Sequence, residues 1–269
     1  MASEPYPELP SVLDRFLAGV QNALGRNFVG AYLVGSLATG DFDLDSDVDF
    51  LVVTFDELRE QDVRSLKANH ENIHKLGCYP ARHLEGSYIS LEKLRRTDHV
   101  GIEPLWYVDN GSTSLERSLH DNQWHVRWVL RERGITLAGP NPKILLDVIQ
   151  KEMLYKEGVQ AIQDLERRFL VDIEQPFGWF NKRFGQSFSV LTTCRMLQTC
   201  QTGTVESKRS AAKWAERVLD PEWHELIRKA WSERVGVRFG EKVRLPAEKQ
   251  LVEQTARFLG YARRLCTTR

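Results

Sequence analysis

"GSLATGDFDLDSDVDFLVV", residues 35 to 53, decides the fold. A Gly-Ser pair opens it, aspartates stand at every second position from Asp41 to Asp49, and it closes in the apolar run Leu51, Val52 and Val53. Aspartate is a poor strand former, whereas the closing run has the composition of a buried strand. Alternate residues of a strand share a face, so Asp47 and Asp49 are expected to project together while Val48 and Phe50 pack behind them. Two carboxylates on one face repel each other and suit a divalent cation. Just upstream, Gly35 and Ser36 offer backbone N–H groups and a hydroxyl to phosphate oxygens. Metal and phosphate ligands thus arrive in adjacent turns of chain.

Other readings of the acidic stretch separate by position. A solvated acidic loop covers Asp41, Asp43 and Asp45 but not Asp49, which lies inside the strand. A calcium loop counted from Asp41 puts Ser46 where a glycine belongs and Val52 where a bidentate glutamate belongs; counted from Asp43, those places hold Val48 and Thr54. Both registers fail. An acidic strand edge that discourages aggregation stays open.

Outward from this stretch, Ser11 to Leu24 has helical spacing of Val12, Phe16, Val20 and Leu24 after Pro10, and "VGAYLVGS" gives a strand ending at Gly35-Ser36. A helical pattern runs from Phe55 to Leu76 and stops at Gly77, and "ARHLEGSYISL" and "EPLWYVD" read as a third and a fourth strand. A helix from about His120 to Arg133 precedes the turn "AGPNP". Beyond it every segment reads as helix: Leu145 to Leu170, Phe188 to Cys200, Ser210 to Val218, Pro221 to Arg234 and Pro246 to Leu265. Strands with helices, then helices only, predict an α+β protein: an α/β domain with a small mixed sheet over residues 1–145 and an all-α bundle over 146–269.

Composition sets the outer bounds. The 269 residues carry 37 basic and 37 acidic side chains, so no global field advertises nucleic acid or a membrane surface. The first sixty residues are rich in acid and the stretch from Lys208 onward in Lys and Arg, which suits a metal near one and phosphates near the other. Cys78, Cys194, Cys200 and Cys266 have no C-x-x-C spacing, and "MASEPYPELP" lacks a basic segment and an apolar core. The expectation is a reduced, cytoplasmic protein, with no apolar run near the roughly 20 residues that span a bilayer.

In its strand-loop-strand setting the motif of residues 35–53 resembles the nucleotidyltransferase superfamily that includes DNA polymerase β. The resemblance implies Gly35 and Ser36 at a triphosphate, Asp47 and Asp49 on Mg²⁺, and a third carboxylate on a neighbouring strand, matched by Glu85 in "RHLEGSYIS". Further along, "VRWVLRERGITLAGPNP" and "VLTTCRMLQTCQTGTVESKRSAAKWA" are similar to the aminoglycoside adenylyltransferases that modify streptomycin and spectinomycin, helical C-terminal domain included. That likeness runs from about Val29 to the last helix. It implies AMP transfer from ATP to a hydroxyl of a small molecule, with two Mg²⁺ ions at Asp47, Asp49 and Glu85, and pyrophosphate as leaving group. Glu85 would also take the acceptor's proton. Lys208 falls on the family's phosphate-contacting lysine, and Arg195 on an arginine of the preceding helix. One departure concerns the acceptor: where those enzymes carry an acidic residue that grips the cationic antibiotic, "KRFGQSF" offers Gly185 and Gln186. Small nucleotidyltransferases that modify a protein or an RNA end are the alternative; the long helical domain favours a small molecule.

A rival motif lies nearby. "HENIH", His70-Glu71 to His74, matches the H-E-x-x-H zinc-hydrolase signature. Pro80 stands where a metzincin needs its third histidine, and the polar helix predicts these histidines on a solvated face. Most tryptophans sit at core-like positions, while Trp179, beside Pro176 and Phe177, is a candidate for the acceptor cleft. His120 and Asp121 either cap the following helix or face the site.

Overall fold

The computed structural model describes residues 5–234 and 245–267 and divides into two compact units, 1–149 and 150–269. The first unit holds a six-stranded sheet in the order β5-β4-β3-β2-β1-β6, formed by β1 (Phe28–Leu33), β2 (Val48–Thr54), β3 (Leu84–Ser90), β4 (Leu105–Val108), β5 (Leu115–Ser118) and β6 (Ile135–Ala138). The central pair β2–β3 is parallel and the other neighbours are antiparallel. A parallel pair needs a long crossover, and α3 (Glu60–His74) supplies it.

Alternation along β2 and β3 sorts their residues to two faces. Val48, Phe50, Val52, Leu84 and Tyr88 pack with Phe16 and Val20 of α1 (Leu9–Leu24) and with Leu66 and Ile73 of α3. Fully burying one such side chain stabilises by roughly 1.5–3 kcal/mol, so this layer fixes the register that aims the opposite face. Gly86 of β3 lies against the Phe50 carbonyl, where a Cβ would overlap it.

Several boundaries differ from expectation. Gly35–Thr39 is not strand end and loop but a short helix, α2, because Gly35 takes φ +60 and turns the chain. Two strands escaped the sequence reading: β5, with sequence LERS, and β6, ITLA, lie at the sheet's two edges and are too short and too exposed to show alternation. After α4 (Tyr79–Arg82) and α5 (Leu91–Arg95), the helix expected from His120 begins only at Trp124, as α6 (Trp124–Arg133).

The second unit is helical throughout its described residues: α7 (Lys151–Asp172), α8 (Arg183–Thr202), α9 (Lys208–Val218), α10 (His224–Arg234) and α11 (Lys249–Thr267), with short 3-10 turns. Helix α8 is central and packs against the other four, its Val190, Leu191, Cys194 and Leu197 buried with Ile162, Trp223 and Phe258. Ser207 caps α9 by accepting from the Ser210 amide at 3.0 Å, which places Lys208 in the first turn. Among the described residues, no helix is long and apolar enough to cross a membrane.

Candidate active site

The parallel register sets Asp49 directly opposite Glu85, so two carboxylates from adjacent strands share the sheet face turned away from α1 and α3. Asp47 enters just before β2 and is 6 % exposed; Glu85 is 8 % exposed. Each of Asp47, Asp49 and Glu85 offers a carboxylate oxygen, and these oxygens lie within 4.8 Å of one another. Two like charges 4 Å apart repel by about 4 kcal/mol at an effective dielectric of ~20, so three such pairs in a half-buried setting suit a compensating cation. All-oxygen donors from carboxylates are the ligands of hard divalent ions. Spacing along β2 points to the first two carboxylates and the family resemblance to the third; the strand order of the fold brings it beside them.

Gly35 borders this cluster, and Ser36 follows it in α2. A Cβ at residue 35 would overlap the Asp49 carboxylate, and φ +60 is a left-handed conformation that disfavours side chains, so glycine is required twice over. The Ser36 hydroxyl is buried with no hydrogen-bond partner. An orphaned buried hydroxyl beside a metal-type cluster suits a ligand oxygen arriving from outside.

Donors from β4 and its following turn hold the outer carboxylates. The Tyr107 hydroxyl donates to Glu85 Oε1 at 2.6 Å and lies 3.1 Å from Asp109 Oδ1. The Asn110 amide nitrogen donates to Asp47 Oδ1, and Asn110 Oδ1 lies 2.7 Å from His83 Nδ1. Burial, then the negative charge of Glu85, pushes the Tyr107 hydroxyl far above the ordinary phenol range, so it stays a donor. His120 and Asp121 face the site rather than capping α6. His120 Nε2 is 3.4 Å from Glu85 Oε1 with its ring stacked on Tyr107, and Asp121 Oδ2 accepts from the Ser87 hydroxyl at 2.8 Å. Burial raises the Asp121 carboxyl above the usual range. Tyr107, Asn110 and His83 carry no motif; their role rests on strand order, which spacing alone does not reveal.

The acidic loop before β2 is built rather than merely solvated. Asp43 Oδ1 accepts from the Ser46 hydroxyl at 2.8 Å and the Asp45 amide at 3.1 Å, an Asx-type turn that delivers Asp47 to the strand. Asp41, Asp43 and Asp45 are all half-buried.

The zinc motif is corrected by the structure. His70 is not on a solvated face: it is 3 % exposed, its ring stacks on Phe50, and its Nε2 hydrogen-bonds the Tyr88 hydroxyl at 2.8 Å. Burial pulls its pKa down to about 4. A helix polar in composition still buries one stripe, and His70 lies on the stripe of Leu66 and Ile73. His70 therefore packs in the core opposite the carboxylates.

In the helical unit, Lys208 is half-buried with its ammonium 5.4 Å from the Phe188 ring centroid, and Arg195 lies on α8 between buried Cys194 and Met196. Trp179 sits in a 3-10 turn, 42 % exposed, its indole edge-on to Phe180, Phe184 and Phe188. Gln186 is 1 % exposed and donates to Thr255 Oγ1 at 2.8 Å, and a Cβ at Gly185 would overlap the Trp179 carbonyl. Both residues of the acceptor departure are thus used up in packing.

A family model described as a nucleotidyltransferase domain matches residues 17–85, from α1 to Glu85, and one described as the aminoglycoside adenylyltransferase C-terminal domain matches residues 155–261. The chain is an aminoglycoside adenylyltransferase-like nucleotidyltransferase. The enzyme is 26 % identical, over 229 residues, to spectinomycin 9-adenylyltransferases of Staphylococcus aureus strains Mu50 and N315, covering 82 % of this chain and 83 % of theirs. A crystal structure of a spectinomycin adenyltransferase from Enterococcus faecialis, solved with ATP and spectinomycin, superposes with a TM-score of 0.70 at 18 % identity, covering 95 % of this chain and 99 % of that one. That likeness concerns the α+β fold.

Proposed function

We propose that the enzyme transfers AMP from ATP to a hydroxyl of an aminoglycoside-type antibiotic, releasing pyrophosphate. The observation that carries this is the convergence of Asp47, Asp49 and Glu85 beside the orphaned Ser36 hydroxyl; the relatives named above supply the acceptor class. Asp47, Asp49 and Glu85 are the proposed Mg²⁺ ligands, and the family resemblance puts the number of ions at two. When bound, the metal would neutralise charge on the triphosphate and on the departing pyrophosphate. The Ser36 hydroxyl would donate to a phosphate oxygen. Glu85 would accept the proton as the acceptor oxygen bonds to the α-phosphorus and the bond to the pyrophosphate oxygen breaks. Lys208 and Arg195 are proposed as nucleotide contacts on the strength of the resemblance, and Trp179 as an acceptor contact on its exposed indole face.

The test is pyrophosphate release from ATP and Mg²⁺ across a panel of acceptors that begins with spectinomycin and streptomycin. Turnover with one of them, absent without acceptor, is expected; no turnover with any hydroxyl-bearing antibiotic would refute the acceptor class. Lys208→Ala should raise the KM for ATP about tenfold, the weight of one charge-assisted contact, and Trp179→Ala should raise only the KM for the acceptor.

A further inference from the structure

Backbone pairing fixes the separation of Asp49 and Glu85, because they are register partners in the β2–β3 ladder. Asp47 has no such constraint: it precedes the strand, and the nearest ladder-like bond is the Val48 amide donating to the His83 carbonyl at 2.9 Å. Two side chains from a different part of the sheet reach the carboxylates instead. In the antiparallel β3–β4 register Ser87 pairs with Tyr107, so Tyr107 lies diagonal to Glu85 on the same face, within reach of a long side chain. Asn110, three residues on, reaches Asp47.

We propose that Tyr107 and Asn110 are positioning residues that set the spacing and orientation of Glu85 and Asp47 for the metal, and that His83 acts on Asp47 through Asn110. The inference rests on the reading of the three carboxylates as the metal site.

Hydrogen-bond chemistry makes the arm directional. An ionised carboxylate only accepts, so the Asn110 nitrogen must face Asp47; its oxygen then faces His83, whose Nδ1 must carry the proton. A flipped amide would set oxygen against oxygen at Asp47. The His83 ring is kept in place by Tyr79, whose ring centroid lies 4.1 Å away and which is itself stacked on Tyr6 at 4.7 Å. At the other carboxylate, the Tyr107 proton goes to Glu85 Oε1, the nearer of its two acceptors, so Oε1 is the oxygen that β4 restrains. One short strand and its turn thus fasten the two carboxylates that come from different places in the chain.

The test is Mn²⁺ binding by the full chain without nucleotide, followed by the electron paramagnetic resonance signal of free Mn²⁺, with Asp47→Asn as reference. Asn110→Ala and Tyr107→Phe should each weaken Mn²⁺ binding about tenfold, the usual cost of losing a partner to a metal ligand, while thermal unfolding stays close to that of the wild type. His83→Phe keeps a ring against Tyr79 but loses the N–H; it should weaken binding severalfold in the wild-type background and add nothing to Asn110→Ala. Mn²⁺ affinity within twofold of wild type in both Asn110→Ala and Tyr107→Phe, with Asp47→Asn still impaired, would overturn the positioning role and leave the metal site standing. Independent, additive effects of His83→Phe and Asn110→Ala would overturn the relay from His83. If Asp47→Asn bound Mn²⁺ as well as the wild type does, the metal reading itself would fall, and this inference with it.

Discussion

The two faces of β2 and β3 carry opposite chemistry on the same backbone. One face packs Val48, Phe50, Val52 and Tyr88 against α1 and α3 and buries titratable groups, His70 and the Tyr88 hydroxyl among them, which their surroundings hold neutral. The other gathers Asp47, Asp49 and Glu85, ringed by donors from Tyr107 and Asn110. On the core face an ionisable side chain avoids the cost of burial by giving up its charge. On the opposite face three carboxylates are crowded together, an arrangement that suits a bound cation. The apolar face thus supplies the rigidity with which the acidic one is aimed, and substitutions on each should fail in different observables.

The largest effect is expected on the acidic face. Asp47→Asn and Asp49→Asn each remove a ligand charge at nearly constant volume, so transfer should fall by at least about 10³-fold, the several kcal/mol a metal contributes to such a transition state. The fold should hold, because repulsion among the carboxylates is relieved. Turnover near the wild-type rate in either variant, measured as pyrophosphate release, would break the contrast between the faces.

On the core face the signature is pH-dependent stability. The His70 pKa falls from 6.5 to about 4 on folding, so between these values the unfolded chain binds the proton that the folded one refuses. Stability is therefore complete above pH 6.5 and is lost as pH falls toward 4, by roughly 3 kcal/mol over that window. Urea titrations of the wild type and His70→Gln at several pH values should show this slope only in the wild type. An unchanged slope in His70→Gln would assign the acid sensitivity to other groups.

The legibility of the two faces from sequence was uneven, for physical reasons. Asp47 and Asp49 were legible because strand spacing is local, and the run from Leu51 to Val53 announced its burial. Glu85 came from family resemblance; the register that pairs it with Asp49 lies beyond any local pattern. His70 was misjudged because the mean polarity of α3 hid a narrow buried stripe. Tyr107, Asn110 and His83 were missed because their meeting depends on β4 lying beside β3, and β5 and β6 because short edge strands carry almost no alternation. The helical unit was easier: its elements have long 3.6-residue periodicity, and the misplaced boundaries fall at helix ends, where capping decides.

Gly35→Ala probes how closely the acidic face is built. The added methyl meets the Asp49 carboxylate in a backbone conformation that alanine disfavours. The variant should lose about 1–2 kcal/mol of stability and, because Asp49 must move, roughly 10²-fold in turnover. Full activity with lowered stability would show that Asp49 can shift without consequence, and so would loosen the link between geometry and chemistry on this face.

The smallest effect should be the most discriminating. Ser36 has a buried hydroxyl without a partner, which is a liability for the free protein. If the hydroxyl serves phosphate, Ser36→Ala should leave unliganded stability equal or slightly higher, since an unsatisfied polar atom is removed, yet raise the KM for ATP about tenfold, the worth of one hydrogen bond to a charged oxygen. The two signs are opposed, and this separates a ligand contact from a packing role. A packing serine would show lower stability and unchanged KM in the variant, because the lost contacts would be internal. Thermal shift with and without ATP reads stability and ATP binding in one experiment: the wild type should gain more from ATP than Ser36→Ala does, while starting no higher. A larger starting stability for the wild type would mean that the hydroxyl is satisfied inside the protein, and would remove Ser36 from the nucleotide site while leaving the three carboxylates in place.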